Sequence, residues 1–229
     1  MTKWSESINP EKVFPEYPRP QMERSSWINL NGVWDLRKGQ LDEVFSTSFT
    51  YDKAILVPFP IESALSGIME KNNEQCWWYH RKFTLPANHK DNRWLLNFGA
   101  VDWHAVVTLN GKVIGEHKGG YAPFSFDITP YLKKSGKQTL RVKVMDATDH
   151  AYQPRGKQWT NPRSIWYTPV SGIWQTVWME PVQSTHITDV YATSDIDSKT
   201  VSVKVASEAL KTGDKISVRL IDGSKVVAE

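Results

Sequence analysis

The sequence predicts an all-β protein whose main part is a sandwich of two sheets. Short runs rich in β-branched and aromatic residues alternate with Gly, Pro and Asn, and no run before position 181 has the apolar period of a helix. Tryptophan is abundant, at 11 of 229 residues, and large rings suit the core of a sandwich. Together these observations favour a β-sandwich or a jelly roll.

The first 25 residues predict an irregular arm. Prolines at positions 10, 15, 18 and 20 interrupt any regular element, so the arm either wraps another surface or frays. Strands are expected from residue 26 onward. The first of them are at 29–36, 54–57, 76–85 and Arg93–Phe98.

The clearest hairpin lies in the middle of the chain. Residues 103–109 form its first expected strand, and Asn110 and Gly111 supply a two-residue turn. A type I′ turn needs positive φ at both central residues, which Gly adopts freely and Asn tolerates. Beyond the return strand, Phe124 and Phe126 are two residues apart, so their side chains point to the same face.

Three further elements complete the predicted sandwich. A short helical turn is expected at 128–132, and a strand at 173–179 closes the domain. Between them, residues 138–145 alternate as in a half-buried antiparallel strand. The alternation puts three apolar residues on one face and two cations on the other: Leu140, Val142 and Val144 against Arg141 and Lys143.

Residues 183–229 predict a second, different β-region. Trp disappears there, and the expected strands are short, at 185–193, 200–206 and 215–221, with a hairpin turn at 222–223. A complete immunoglobulin-like sandwich takes about 100 residues, so we interpret this region as the truncated start of one. Because part of the sandwich is missing, the last strands either pair unusually or leave an exposed sheet edge.

The composition argues against several other classes of protein. A net charge of +3 with scattered cations gives no basic surface for nucleic acid, and no apolar run reaches the about 18 residues of a membrane span. A single cysteine, Cys76, excludes an internal disulfide, and His104 and His117 lack partners at a metal-ligand spacing. We expect a soluble chain without metal or cofactor, periplasmic or secreted if an export signal has been removed.

Several segments in one order carry a family resemblance. They are Leu-Asn-Gly-Val-Trp at 30–34, Val-Pro-Phe-Pro at 57–60, Trp-Tyr-His-Arg-Lys-Phe at 78–83, the hairpin region 98–129, Pro-Arg-Gly-Lys-Gln at 154–158, Ile-Trp-Tyr at 165–167 and Ser-Gly-Ile-Trp-Gln-Thr-Val-Trp at 171–178. Over about 27–181 the chain resembles the N-terminal sugar-binding domain of glycoside hydrolase family 2. The resemblance implies a galactose-binding-domain-like jelly roll at 26–182, followed by an immunoglobulin-like domain and a catalytic barrel.

The resemblance also implies what this chain does not do. A retaining glycosidase needs two carboxyl groups about 5 to 5.5 Å apart, and in family 2 both are glutamates of the barrel. We therefore expect no catalytic residue here, but a non-catalytic part of a β-galactosidase-like enzyme whose partners are the barrel and a β-galactoside-type glycan. The alternatives are a free carbohydrate-binding module and a purely structural interface domain.

The long polar loop 146–166 holds the candidate binding residues. Carboxylates, amides and aromatic faces suit sugar hydroxyls and the apolar side of a pyranose. The family resemblance implies one acidic contact from this loop, with Asp149 preferred to Asp146, although both carboxylates could simply shape the turn. Trp159 and Gln158 are further candidates, and Arg155 belongs to a basic rim that could instead pack on the barrel.

A second loop, 59–73, approaches the active-site mouth in the family. Here it carries Glu62, Ser63, Glu70, Asn72 and Asn73, and none of these residues matches the family sharply.

Overall fold

The computed structural model describes residues 3–46, 48–71, 76–86 and 93–229. Asn72 and Asn73 of the second candidate loop lie outside these ranges. Within the ranges the regular elements are β-strands, apart from 3-10 turns at Lys3–Ser7, Pro20–Met22, Ala64–Ser66 and Thr129–Tyr131. The described chain forms two compact units, one of residues 1–18 and 24–181 and the other of 19–23 and 182–229.

The strands of the first unit follow the sequence prediction closely. In chain order they are β1 (Ile28–Asn29), β2 (Gly32–Lys38), β3 (Lys53–Val57), β4 (Cys76–Phe83), β5 (Arg93–Phe98), β6 (Val101–Asp102), β7 (His104–Leu109), β8 (Lys112–Lys118), β9 (Phe124–Asp127), β10 (Gln138–Met145), β11 (Gly172–Ile173) and β12 (Val177–Val182). The all-β prediction is confirmed for the described residues.

Two sheets build the sandwich of the first unit. The larger has the strand order β3-β2-β4-β10-β7-β8, and the smaller has the order β1-β12-β5-β9. A third, two-stranded sheet pairs β6 with β11, with Asp102 opposite Gly172. The order is far from sequential, so strands distant in the chain lie side by side, as in a jelly roll.

One cluster of buried side chains joins the two sheets. The larger sheet contributes Trp34 and Tyr79, the smaller contributes Phe98 and Met179, and each of them is at most 1% exposed. Burial of a large apolar side chain stabilises a fold by about 1.5–3 kcal/mol. Phe124 and Phe126 pack against this cluster from the same face of β9, as the alternation predicts.

Residues 39–46 and 48–51, here called the strap, lie over the outer face of the larger sheet. The cation face of β10 is more buried than the predicted half-buried strand implies, because the Lys143 ammonium group donates to the carbonyls of Leu41 and Glu43, both at 2.7 Å. The Glu43 carboxylate in turn accepts from Arg37 and from the indole of Trp78. Lys143 is buried because a segment distant in sequence lies over it.

The central turn has the conformation that its sequence predicts. Asn110 and Gly111 have φ of 53° and 87°, and the strands on either side pair in antiparallel fashion. The Asn110 side chain also donates to the Tyr131 carbonyl and the Gln138 amide oxygen, and its own oxygen accepts from Thr139 N. The asparagine therefore fixes the turn to β10 and to the 3-10 turn at Thr129–Tyr131.

The N-terminal arm is irregular, and it is fastened to the first unit. The Asn29 amide donates to the Val13 carbonyl at 3.0 Å. The fully buried carboxylate of Glu180 accepts from the Tyr17 hydroxyl at 2.6 Å and from the Arg24 guanidinium at 2.7 Å. Charge-assisted hydrogen bonds of this kind are about twice as strong as neutral ones, so the arm has a defined course over the domain.

The second unit consists of two hairpins, β13 (His186–Asp195) with β14 (Thr200–Glu208), and β15 (Leu220–Asp222) with β16 (Lys225–Ala228). The predicted strand at 215–221 is too long, because only its last two residues are paired. The turn is also displaced: Asp222 pairs with Lys225, which leaves Gly223 and Ser224 as its central residues. That residues 183–229 begin an immunoglobulin-like domain stays a prediction.

None of the helical turns in the described ranges is long and apolar enough to cross a membrane.

Replacement of Asn110 separates the backbone contribution of the turn from the side-chain contribution. Asn110→Gly keeps a residue that accepts positive φ and loses the three side-chain hydrogen bonds, so we expect about 1–3 kcal/mol of destabilisation. Asn110→Ala adds the left-handed strain, for roughly 1 kcal/mol more. Urea unfolding of both variants measures the difference, and Lys112→Ala, exposed on the adjacent strand, is the neutral control. Equal losses for Gly and Ala would contradict the backbone explanation.

Candidate functional site

The loop 146–171 runs from the end of β10 to the start of β11. Because β11 pairs with β6, the end of this loop lies beside Asp102. The loop has little regular structure of its own, apart from a bridge between Gln158 and Tyr167. Trp159 N donates to the Tyr167 carbonyl at 3.0 Å, and Tyr167 N donates to the Lys157 carbonyl at 2.8 Å.

Asp146 is a buried anchor at the beginning of the loop. Its side chain is 3% exposed and accepts from Thr148 N at 2.7 Å, from the Gln153 amide at 2.8 Å and from the Ser171 hydroxyl. The bond to Thr148 is the Asx turn of the alternative interpretation. Asp146 therefore ties together the two ends of the loop.

Asp149 lies one turn further along and is nearly as enclosed. Its side chain is 8% exposed and accepts from the backbone N of Thr160 at 3.4 Å and from the Thr160 hydroxyl at 3.2 Å. The Arg155 guanidinium is 3.7 Å away. Both candidate carboxylates thus make structural bonds within the loop, and the contact of Asp149 with a sugar stays a prediction.

Gln158 is the polar centre of the loop. Its amide nitrogen donates to Asp102 at 2.7 Å and to the Tyr121 hydroxyl at 3.1 Å, and its oxygen accepts from Val170 N. The side chain is 9% exposed. In this structure Gln158 connects the loop to the hairpin region, and its role in binding sugar stays a prediction.

Asp102 is the buried acceptor beneath that amide. It is 1% exposed, and its Oδ1 accepts no hydrogen bond from the described residues. A Cβ on Gly120 would lie 2.5 Å from its carboxyl carbon, so only glycine lets the backbone pass so closely over it. Burial raises the pKa of Asp102 to about 7, with a further contribution from the nearby Asp146 charge, while the bond from Gln158 opposes the rise.

Glu62 reaches the same region from the turn that follows β3. Its Oε2 accepts from Ser171 N at 2.9 Å, and its buried Oε1 has no hydrogen-bond partner in the described chain. Burial raises the pKa of this carboxyl to about 7 as well. Glu70 of the same candidate loop instead pairs with Lys53 and Lys38, at 2.8 and 3.1 Å.

An aromatic platform lies on the exposed side of the loop. Trp159 and Trp166 pack edge to face with ring centroids 4.8 Å apart. The Arg155 guanidinium lies 5.4 and 5.5 Å from the two ring centroids, within the range of cation–π attraction. The two half-exposed indoles and the guanidinium form a surface with apolar faces and donors, which suits contact with a sugar ring.

The arrangement offers apolar ring faces and hydrogen-bond donors at the surface of the loop. The carboxyl groups of Glu62, Asp102 and Asp146 are occupied by, or buried under, protein groups, so the described geometry assigns them no contact with a reacting bond. His104 has an acidic neighbour that the sequence did not indicate, Glu116 at 2.9 Å. Among the residues described, no group of three or more His, Cys, Asp or Glu side chains is arranged to hold a metal ion.

Sequence reasoning missed Asp102, Ser171 and Tyr121. One signal was available: Asp102 stands between Val101 and Trp103 in an otherwise apolar strand region, where a carboxyl group must be buried with partners. Nothing local indicates Ser171, because its two carboxylate partners are 109 and 25 residues away.

Comparison with known proteins identifies this architecture. The family described as "Glycosyl hydrolase 2 galactose-binding domain-like" matches residues 40–175, which is more than half of the chain. The chain belongs to this family. The resemblance read from the sequence motifs of family 2 is thereby confirmed.

Relatives in family 2 are much longer than this chain. A β-galactosidase of Thermoanaerobacter pseudethanolicus is 31% identical over 209 residues, which are 87% of this chain and 27% of that protein. A β-galactosidase of Bacteroides ovatus is 28% identical over 81% of this chain and 22% of its own length. The chain therefore spans about a quarter of the curated relatives that it matches.

Solved structures of the family agree with the fold. The β-glucuronidase of Bacteroides uniformis superposes with a TM-score of 0.57 at 28% identity, covering 71% of this chain and 18% of that chain. The β-glucuronidase of Faecalibacterium prausnitzii superposes with a TM-score of 0.62 at 24% identity, covering 85% of this chain and 37% of that chain. At this identity the likeness shows the fold alone.

Gln158 supplies a prediction about the stability of the loop 146–171. Gln158→Met keeps the side-chain length but removes three hydrogen bonds and leaves Asp102 without its donor, so we expect about 2–4 kcal/mol of destabilisation. Chemical unfolding measures the loss, with the exposed neighbour Lys157→Met as the control. A change below about 0.5 kcal/mol would show that the loop does not depend on Gln158.

Cys76 supplies a second prediction. It is fully buried at the start of β4, and burial raises the pKa of its thiol to about 11. Because the thiolate is the reactive form, a disulfide reagent such as Ellman's should not label the native chain at pH 8 within minutes. The same reagent should label one thiol rapidly in denaturant, and rapid labelling of the native chain would contradict the burial.

Proposed function

We propose that this chain is the non-catalytic, N-terminal portion of a family 2 exo-β-glycoside hydrolase, in which it braces the catalytic barrel and lines one wall of the sugar pocket. One observation carries the proposal: the β-galactosidase match takes 87% of this chain but 27% of that enzyme. A fragment that aligns along nearly its whole length with a quarter of a hydrolase is best explained as one structural part of a similar enzyme.

The loop 146–171 is the part of the chain that we assign to the pocket. Its described surface combines two tryptophan faces, a guanidinium held against them and polar side chains that the fold already fixes. A rigid platform loses little conformational entropy when a sugar binds, which favours affinity.

A β-galactoside is the substrate that we propose for the longer enzyme. The Gly-Lys-Gln and Ser-Gly-Ile-Trp-Gln motifs resemble galactosidase-type members, and the two relatives cited above carry the name β-galactosidase. Other relatives are named β-glucuronidase, including one of Formosa agariphila that is 32% identical over 48% of this chain. An aryl β-glucuronide is therefore the competing substrate in any assay.

A carbohydrate-binding module is the second candidate function. It is favoured by the platform itself, which is already assembled in the chain without a barrel. Titration calorimetry on the 229-residue chain separates the two functions. Binding of a soluble glycan at micromolar to millimolar Kd, lost in Trp159→Ala, supports the module, whereas no binding supports a pocket wall that needs the barrel.

Substitution of Trp159 tests the proposed function in a longer protein that contains the barrel. Trp159→Ala removes a face that would cover the sugar, and we expect KM for an aryl β-galactoside to rise about 10-fold or more with a smaller change in kcat. Lys112→Ala, exposed on β8 of the first unit, is the control and should leave both constants unchanged.

Two outcomes would contradict the proposal. An unchanged KM in Trp159→Ala would show that the loop does not line the pocket. Measurable hydrolysis of aryl glycosides by the 229-residue chain alone would show that the chain is itself catalytic. We expect no such hydrolysis, because the carboxyl groups of Glu62, Asp102 and Asp146 are held in structural contacts.

A further inference from the structure

Carboxyl groups from three separate elements meet where the loop 146–171 begins and ends. Glu62 comes from the turn after β3, Asp102 from β6, and Asp146 from the end of β10. Asp102 and Asp146 are 1% and 3% exposed, and the Glu62 carboxyl is shielded at Oε1. One oxygen of Glu62 and one of Asp102 accept no hydrogen bond from the described residues. Ionisation of all three carboxyl groups would cost free energy, because buried charges without partners are unfavourable.

Each of these carboxyl groups accepts a hydrogen bond from the loop, and two of them meet at Ser171. Asp146 binds Thr148 N near the start and the Ser171 hydroxyl at the end. Glu62 binds Ser171 N, and Asp102 binds the Gln158 amide, whose oxygen accepts from Val170 N. The loop conformation therefore depends on all three groups at once.

We propose that Glu62, Asp102 and Asp146 form one carboxyl cluster that positions the loop 146–171, in which Glu62 and Asp102 retain protons, so that loss of those protons loosens the loop. Glu62 and Asp102 are positioning residues in this scheme, since they act on a ligand only through the loop. The effect on a sugar rests on the proposed function, whereas the effect on the loop and on stability does not.

The surroundings of the cluster favour retained protons. The groups that act on Asp102 are the Asp146 and Glu62 charges and the Gln158 amide, and those that act on Glu62 are Ser171 and the Asp146 charge. From β4, the buried Tyr79 phenol also faces Glu62. These neighbours are acidic or neutral. Burial and like charge together hold the pKa of both carboxyls at about 7, far above the ordinary values of 3.8 and 4.5.

The direction of the pH effect follows from linkage. A carboxyl whose pKa is raised on folding retains a proton that the unfolded chain releases. The stabilisation is fully present below the unfolded pKa and is lost as pH rises toward the folded pKa of about 7. For each such group the unfolding equilibrium constant rises up to about tenfold per pH unit between these limits, and it levels off above about pH 8.

Neutral variants test the cluster in the 229-residue chain. Asp102→Asn and Glu62→Gln keep the acceptors for Gln158 and Ser171 but carry no titrating group. Urea unfolding from pH 5 to 8.5 should show a steep loss of stability in the parent chain, a shallower loss in each single variant and the shallowest in the double variant. Glu11→Gln, exposed on the arm, should keep the parent slope. Equal slopes in the parent chain and the double variant would overturn the proposal.

Carbon-13 NMR of the side-chain carboxyls tests the unchanged chain, so the proposal does not depend on the folding of any variant. Two resonances that titrate near pH 7 and disappear in Asp102→Asn and Glu62→Gln support the cluster. Ordinary titration of every carboxyl below pH 5 overturns it. Amide exchange at Val170 and Ser171, corrected for the intrinsic pH effect, should accelerate above pH 7 relative to the core amide of Leu140.

The longer enzyme separates this proposal from the proposed function. KM for an aryl β-galactoside should rise above pH 7 while kcat changes less, and the Asp102→Asn enzyme should lose that rise. If KM does not change with pH although NMR shows the two carboxyls titrating near pH 7, the cluster is not coupled to the pocket. An enzyme inert to galactosides and glucuronides alike overturns the proposed function and leaves the NMR and unfolding tests standing.

Discussion

The attachment of Ser171 to two carboxyl groups is the interaction on which the geometry of the candidate site depends. Its backbone N donates to Glu62, its hydroxyl donates to Asp146, and its carbonyl accepts from Ile61 N at 3.2 Å. One residue is thereby fixed to the turn after β3 and to the end of β10. Because the next residue begins β11, the closing end of a 26-residue loop is set by contacts with elements that precede it in the chain.

The sandwich provides the rigid support for that attachment. Strands β4 and β10 are neighbours along their full length in the larger sheet, and their inward side chains are among the most buried of the described chain. Next to this core, a Cβ on Gly172 would overlap the Tyr79 hydroxyl oxygen. The backbone of β11 therefore lies against the core without space for a side chain. Because the interior is closely packed, the end of the loop that is attached to it is held in one conformation.

Local rules explain the parts of the fold that could be predicted from the sequence. The Asn110–Gly111 turn depends on the φ preferences of two residues, and the β10 pattern depends on alternation within one strand. The fate of Lys143 depends on the strap, about 100 residues earlier, and the role of Asp102 depends on Gln158, 56 residues later. Alternation says which face a side chain occupies, but it does not say what else covers that face. The candidate loop was therefore found from its composition, while its internal bonds required the three-dimensional structure.

The fastening of the arm by Glu180 has a consequence for anyone who dissects this protein into pieces. The family match covers residues 40–175. Glu180 lies after this segment, and its partners Tyr17 and Arg24 lie before it. A recombinant fragment trimmed to residues 40–175 would lack all of β1, β2 and β12. It would therefore lose one strand of the larger sheet and two strands of the smaller sheet. The family match marks the residues that align in sequence. A fragment that is to fold by itself must be longer than the aligned residues, because it needs the strands on either side of them.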